Sequence, residues 1–265
     1  MMWLLVAKTW RDHWKSLLAW AGVIVAMTCV QLSVYPSIAK TADAAIEFVD
    51  AYPEAFKKIF RMEDYTSGPG FLSTELFSLM LPLVLIAVGA TWGASATAEE
   101  EERGTADLLF TLPISRSKIV LSKMAATVTV LLFLGAVIFI NLYIGAPMVE
   151  LEINFGFIVA ATLNTMALGA FFSGIAFVIG ALTGKKGISL GATSGAALLA
   201  FVFFSLAPLV DTFDSLEPIN PFDWAIGGNI LFDGPDWNGL ITLLLATTAL
   251  YSLAIFIFNR KDIKS

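Results

Sequence analysis

Apolar residues run along this 265-residue chain in six long blocks separated by polar connections. The blocks are Ser16–Tyr35, Leu76–Ala98, Met124–Met148, Phe155–Thr183, Gly187–Val210 and Trp237–Phe258, and none contains Asp, Glu, Lys, Arg or His. A helix needs about 20 apolar residues to cross a bilayer, and each block is long enough. Backbone polar groups in hydrocarbon must be satisfied within the segment, so the blocks are expected as helices. The fourth block is the longest and is expected to tilt or to end in the interface. Ahead of the first block, residues 1–15 interleave Trp3, Leu4, Val6, Ala7, Trp10 and Trp14 with Lys8, Arg11, Asp12 and Lys15. That pattern suits a helix lying in the membrane interface; an ordinary aromatic and basic flank of the first span is the alternative. It does not match a cleavable signal, which would place a short basic stretch before a short apolar core. The expected fold is an all-α membrane protein with an N-terminal interfacial helix and six transmembrane helices, one membrane domain over residues 1–265.

Composition agrees with this pattern. Hydrophobic residues make up 57% of the chain and charged residues 14%, against roughly 25% charged in soluble domains. Charge then gives the orientation. With six spans both termini share a side, and that side holds 12 of the 16 Lys and Arg residues. The other side holds Lys40, Lys57, Lys58 and Arg61. The excess of cations places both termini in the cytoplasm. Carboxylates divide the other way, 15 outside and 7 inside, so the net charge of −6 belongs to the external face. The cations are dispersed along membrane boundaries, which argues against a nucleic-acid partner.

Most catalytic chemistry lacks its residues. The one histidine, His13, sits near the start of the chain, so an intramembrane serine hydrolase has no base beside Ser95. No span carries a carboxylate pair for aspartyl chemistry, and no cluster suggests zinc. The single Cys29 permits no intrachain disulfide. The external carboxylates Asp211, Asp214, Glu217, Asp223, Asp233 and Asp236 lack the spacing of a calcium loop. Gly180 to Lys186 superficially resembles a phosphate loop, but no Ser or Thr follows Lys185; a helix end with basic side chains reaching the interface is the simpler reading. Proton-coupled carriers keep ionisable groups within the bilayer. Here only Gln31, Asn141 and Asn164 offer neutral polarity, with Glu75 at an outer mouth where it can stay hydrated. Any uphill transport must draw its energy from another subunit.

The connection Glu99–Lys123, between the second and third blocks, is far more organised than a turn requires. Gly104 breaks the preceding helix, Thr105 is a candidate N-cap, and Asp107 suits the first turn of a new helix. Leu108, Leu109 and Leu112 form an apolar patch beside Phe110. Pro113 ends the short helix and Ser115 is placed to cap the next. Glu99–Glu102 flank the patch on one side, with Arg116, Lys118 and Lys123 on the other. An apolar patch rimmed with charge marks an interface; the alternative is a helix resting on lipid headgroups.

This segment resembles the first cytoplasmic loop of type-two ABC exporter permeases: an acidic run, Gly-Thr, a short leucine-rich helix, Pro, a small residue before Arg, and a lysine leading into the next span. The resemblance extends to Asn220-Pro221-Phe222, to the ending Phe258-Asn259-Arg260-Lys261-Asp262-Ile263, and to the six-span layout, so it covers nearly the whole chain. The four consecutive glutamates are a dense run for the family, and Asn259 stands where a second basic residue is common. The resemblance implies that Glu102, Gly104, Thr105, Asp107, Leu108, Leu109, Leu112, Pro113 and Arg116 dock an ATPase subunit as a coupling helix. It also implies two permease halves, either two copies or a copy and a paralogue, with the second and fifth spans lining the path. ATP and Mg would then sit on the ATPase dimer, this chain having no cofactor and no catalytic residue of its own. The implied function is a plasma-membrane permease subunit that exports a small or amphiphilic substrate by alternating access. The alternative is a membrane scaffold or sensor that recruits a cytoplasmic partner without transport.

Two glycine patterns mark those same spans independently. Gly187, Gly191 and Gly195 open the fifth, and Gly89 and Gly93 lie in the second. Glycines four apart give a helix a flat face for close approach, which serves a dimer interface or packing within one subunit equally well. On the outer side, residues 43–62 are expected as an amphipathic helix broken at Pro53, followed by a turn over Thr66–Gly70. Residues 211–236 are expected as short interfacial helices, where the family commonly has partly re-entrant ones.

Overall fold

A computed structural model of the chain describes residues 2–54, 56–57, 62, 64–102, 115–209 and 217–260. The described residues are helical and turn structure with no strand: α1 (Met2–Lys40), α2 (Ala42–Asp50), α3 (Gly68–Leu72), α4 (Met80–Glu102), α5 (Arg116–Met148), α6 (Phe155–Thr183), α7 (Lys186–Leu206), α8 (Ile230–Asp233) and α9 (Trp237–Arg260). Six helical runs are long and apolar enough to cross a membrane: Trp3–Lys40, Gly68–Ala98, Ser117–Met148, Phe155–Thr183, Lys186–Leu209 and Trp237–Arg260. They correspond one for one to the six apolar blocks. The chain is an all-α membrane protein.

The N-terminus is helical, as its pattern suggests, but it joins the first span without a break. Between Trp10 and Leu18 there is neither Gly nor Pro to end a helix, so α1 runs for 39 residues. At 1.5 Å per residue it is about 58 Å long, nearly twice the hydrocarbon thickness. Trp10 anchors its first part by donating from Nε1 to Thr129 Oγ1 of α5 at 3.0 Å.

The packing centres on α6, the most buried of the six spans. It runs parallel to α4 in very close contact, made possible by small residues on both helices. A Cβ on Gly93 would lie 2.6 Å from the Ser173 carbonyl oxygen, and one on Gly169 would lie 2.8 Å from that of Leu85. A Cβ on Gly89 would strike the Gly169 carbonyl. Lipid tails are as apolar as Leu, so helices in a bilayer associate through such tight van der Waals contact rather than hydrophobic exclusion. On another side of α6, Ser173 and Tyr251 of α9 share a hydrogen bond of 2.7 Å between their hydroxyls. The Tyr251 ring meets Phe177 edge-on at 5.2 Å. Between α6 and α7 only Gly184 and Lys185 intervene. Gly184 adopts φ 64° at the helix end, a left-handed conformation that favours glycine. The helix-end reading of the Gly180–Lys186 stretch is therefore the structural one.

The outer side departs from expectation at Thr66–Gly70. The turn ends at Ser67, whose hydroxyl accepts from Gly70 N at 3.1 Å, and helix α3 begins at Gly68 with Pro69 in its first turn. Proline is tolerated there because that N–H has no helical partner to lose. The chain continues through a π-helical turn, Ser73–Phe77, into α4. A second π turn, Asp223–Gly227, precedes α8. The two approach each other across a gap of about 20 Å³ lined by Phe77, Ala161 and Ile226. Residues 217–233 form short helical pieces, as expected of this loop.

Glu75, in the first π turn, is not simply hydrated. Its carboxylate accepts from Tyr65 Oη at 2.7 Å and from Gln31 Nε2 of α1 at 3.1 Å. Burial and the neighbouring Glu75 carboxylate push the Tyr65 phenol above its ordinary range.

Two predictions follow from these contacts. Gly93→Ala should destabilise the detergent-solubilised protein by about 1–3 kcal/mol through overpacking, read as a lowered thermal unfolding midpoint. Gly191→Ala, which meets open space, should leave the midpoint unchanged; equal losses would contradict the packing described. Tyr65→Phe should cost about 1–2 kcal/mol at neutral pH by removing a hydrogen bond to a carboxylate. Because the folded phenol is raised, the wild-type advantage is full below pH ~10 and is lost as pH rises through the folded value. An advantage that grows with alkalinity would exclude this bond as its source.

Candidate functional site

The polar ends of α4 and α5 frame the connection singled out by sequence. Glu102 is exposed at the last position of α4, and Arg116 is the first residue of α5. Ser115 takes the N-cap position with extended backbone, but its hydroxyl makes no capping bond. Gly104, Thr105, Asp107, Leu108, Leu109, Leu112 and Pro113 lie outside the described residues. Beside this frame, Ser117 and Asn259 are joined side chain to side chain: the hydroxyl donates to Oδ1 at 3.1 Å and accepts from Nδ2 at 2.9 Å. The residue that departs from the family's basic ending thus ties the end of α9 to the start of α5.

The two glycine patterns have different surroundings. Gly89 and Gly93 are consumed inside the chain by the contact of α4 with α6. Gly187, Gly191 and Gly195 have nothing within 4 Å of an added Cβ. Their face continues through the exposed Leu198, Leu199 and Val202, and the opposite side of α7 carries the buried Ser189 and Thr193. Ser189 Oγ donates to the Ala176 carbonyl of α6 at 2.7 Å, fixing which side of α7 turns inward.

The neutral polar candidates of the spans are mostly committed to structure. Gln31 serves Glu75, and Asn141 Nδ2 donates to the Val25 carbonyl at 3.4 Å and to Thr28 Oγ1 of α1. Asn164 is different: it is 2% exposed, and its Nδ2 has no partner among the described residues.

A cavity of about 170 Å³ lies between α1, α4, α5 and the first residue of α7, at the end of the bundle where the chain begins. From α1 it is lined by Lys8, Asp12 and His13; from α4 by Thr91, Trp92 and Ser95; from α5 by Lys123; and from α7 by Lys186. Lys123 Nζ donates to the Ala96 carbonyl at 2.8 Å, which holds the start of α5 against α4. The His13 ring lies beside that of Trp92, 5.1 Å between centres and tilted by 50°. Its Nδ1 lies 3.0 Å from the Thr9 carbonyl oxygen. A carbonyl only accepts, so Nδ1 carries a proton. Sequence reading placed these cations singly at membrane boundaries and could not bring them together. Their separation in the chain, from Lys8 to Lys186, hides the convergence, and only the helix packing reveals it.

Comparison with known proteins agrees with the fold. A search of curated proteins finds no significant match. The family model described as ABC-2 family transporter protein matches residues 3–263, nearly the whole chain. Permeases of this family are membrane subunits rather than ATPases and generally work with an ABC ATPase subunit. With six apolar helices packed around α6 and a match of that extent, this chain belongs to the ABC-2 transporter family and is a multi-pass membrane permease of an ABC transporter.

Proposed function

We propose that the chain is the permease of an ATP-driven exporter, one membrane domain over residues 1–265, in the plasma membrane with both termini cytoplasmic. The observation that carries the reading is the family match over residues 3–263 together with the Glu99–Lys123 pattern that the match encloses. The distribution of Lys and Arg supports the orientation. Glu102, Gly104, Thr105, Asp107, Leu108, Leu109, Leu112, Pro113 and Arg116 dock a cytoplasmic ATPase, which holds ATP and Mg. Two permeases, identical or paralogous, meet through the open face of α7 at Gly187, Gly191 and Gly195. When the ATPases close on ATP, they displace Thr105–Leu112. The push enters α4, which is locked along its length to α6, so the displacement tilts a packed pair rather than a single helix. Tilting exposes the path alternately to the two sides of the membrane. The substrate is small or amphiphilic, in keeping with spans that carry no ionisable interior.

Co-purification tests the reading directly. The tagged protein, gently solubilised from its native membrane, should bring down a stoichiometric ABC ATPase. Leu108→Asp with Leu109→Asp should insert normally and lose at least 90% of that ATPase, since two carboxylates are set into an apolar contact. Full retention of the ATPase would place docking elsewhere. Gly191→Leu should preserve the fold, because its Cβ meets open space within the chain, yet weaken dimers trapped by crosslinking in native membranes. Undiminished crosslinking would remove this face from the interface.

A further inference from the structure

We propose that the cavity between α1, α4, α5 and the start of α7 binds a phosphate group, carried by an acidic membrane lipid or free in solution. The site goes beyond the transport reading and does not depend on it.

Among the described residues, Lys8, Lys123 and Lys186 line the chamber from three helices, and Asp12 is the one carboxylate in that lining. Among the described residues, no ion pair or hydrogen bond engages the ammonium of Lys8 or of Lys186. Lys8 and Lys186 thus bring two uncommitted like charges to one small space, and an anion between them relieves their repulsion. The chamber also supplies neutral donors. Thr91 and Ser95 line it with hydroxyls that have no partner among the described residues. Trp92 is 7% exposed, and its indole N–H likewise has none. Converging cations with uncommitted hydroxyl and indole donors match the charge and acceptor oxygens of a phosphate.

Size and position define the rest of the ligand. A volume of about 170 Å³ is large enough for a phosphate and a short glycerol stub. Ser95 lies seven residues before the exposed end of α4 at Glu102, roughly 10 Å of helix. That places the chamber near the polar end of the span. Basic pockets between spans recognise acidic lipid headgroups in this way.

The test compares two double variants of equal charge loss in the full chain, delipidated in detergent. Lys8→Gln with Lys186→Gln removes two cations of the chamber, neither making a described side-chain bond. Arg11→Gln with Lys15→Gln removes two from the same end of α1 that do not line it. Each protein is titrated with phosphatidylglycerol, with phosphatidylcholine, and with sodium phosphate against sodium chloride at matched ionic strength, and the thermal midpoint is followed. Phosphatidylglycerol should raise the wild-type midpoint at concentrations where phosphatidylcholine, its charge cancelled by choline, does not. The chamber variant should need at least tenfold more phosphatidylglycerol, and the control variant should behave as wild type. A shift with sodium phosphate alone identifies the free ion as a sufficient ligand; a shift with phosphatidylglycerol only identifies the lipid. Equal responses of the two double variants, or no response of the wild type to either phosphate source, would overturn the site.

Discussion

The structure depends on the contact of α4 with α6 at Gly89, Gly93 and Gly169. A bilayer offers no hydrophobic penalty for separating two apolar helices, so their association must come from surfaces that fit. Here the fit is close enough that single methyl groups would collide with backbone carbonyls. Once α4 and α6 are joined, the others have defined places. Helix α9 fits against Gly174, Phe177 and the Ser173 hydroxyl, α7 is pinned through Ser189, and α5 is held to α4 through Lys123 and to α1 through Trp10 and Asn141. The polar bonds are few and lie between helices, where they select rotation about the helix axis as much as they add stability.

Sequence made the six spans legible because length and lack of charge are properties of a single segment. Their observed ends fall close to the apolar blocks, apart from extensions such as Gly68–Leu72 and Ser117–Lys123. The extensions are amphipathic or small-residue turns, which a count of apolar residues excludes but which continue a helix readily. The Ser67-Gly68-Pro69-Gly70 string illustrates the difficulty. Its composition suggests a turn, whereas the Ser67 cap and a first-turn proline make it the start of a helix. The π turns at Ser73 and Asp223 were not readable, since a single extra residue in a helix leaves no mark on composition.

The site was legible only where its residues are contiguous. Glu99–Lys123 could be recognised as an organised connection from order alone. The glycine patterns could be seen but not assigned, because four-residue spacing describes a flat face without naming what lies against it. The structure separates them: Gly89 and Gly93 are filled from within the chain, and Gly187, Gly191 and Gly195 are left open. The cavity was invisible in the same sense. Lys8, Lys123 and Lys186 belong to three helices, and each alone is an ordinary boundary cation.

The two-residue joint at Gly184–Lys185 has a mechanical consequence. With Ser189 bonded to Ala176 immediately beyond it, α7 is fixed to α6 at one end, while nearer its other end Asn220 donates to the Ala200 carbonyl at 2.9 Å. A swing of α7 about that joint moves it like one leg of a pair of compasses. The 21 residues of α7 make an arm of roughly 31 Å, so a tilt of about 10° displaces its far tip by roughly 5 Å while hardly moving Gly187. Of the open glycines, Gly187 stays almost stationary, whereas Leu199 and Val202 sweep the widest arc. A surface shared with another molecule along this face would part from the tip inward, like a zip, with its last contact beside the joint.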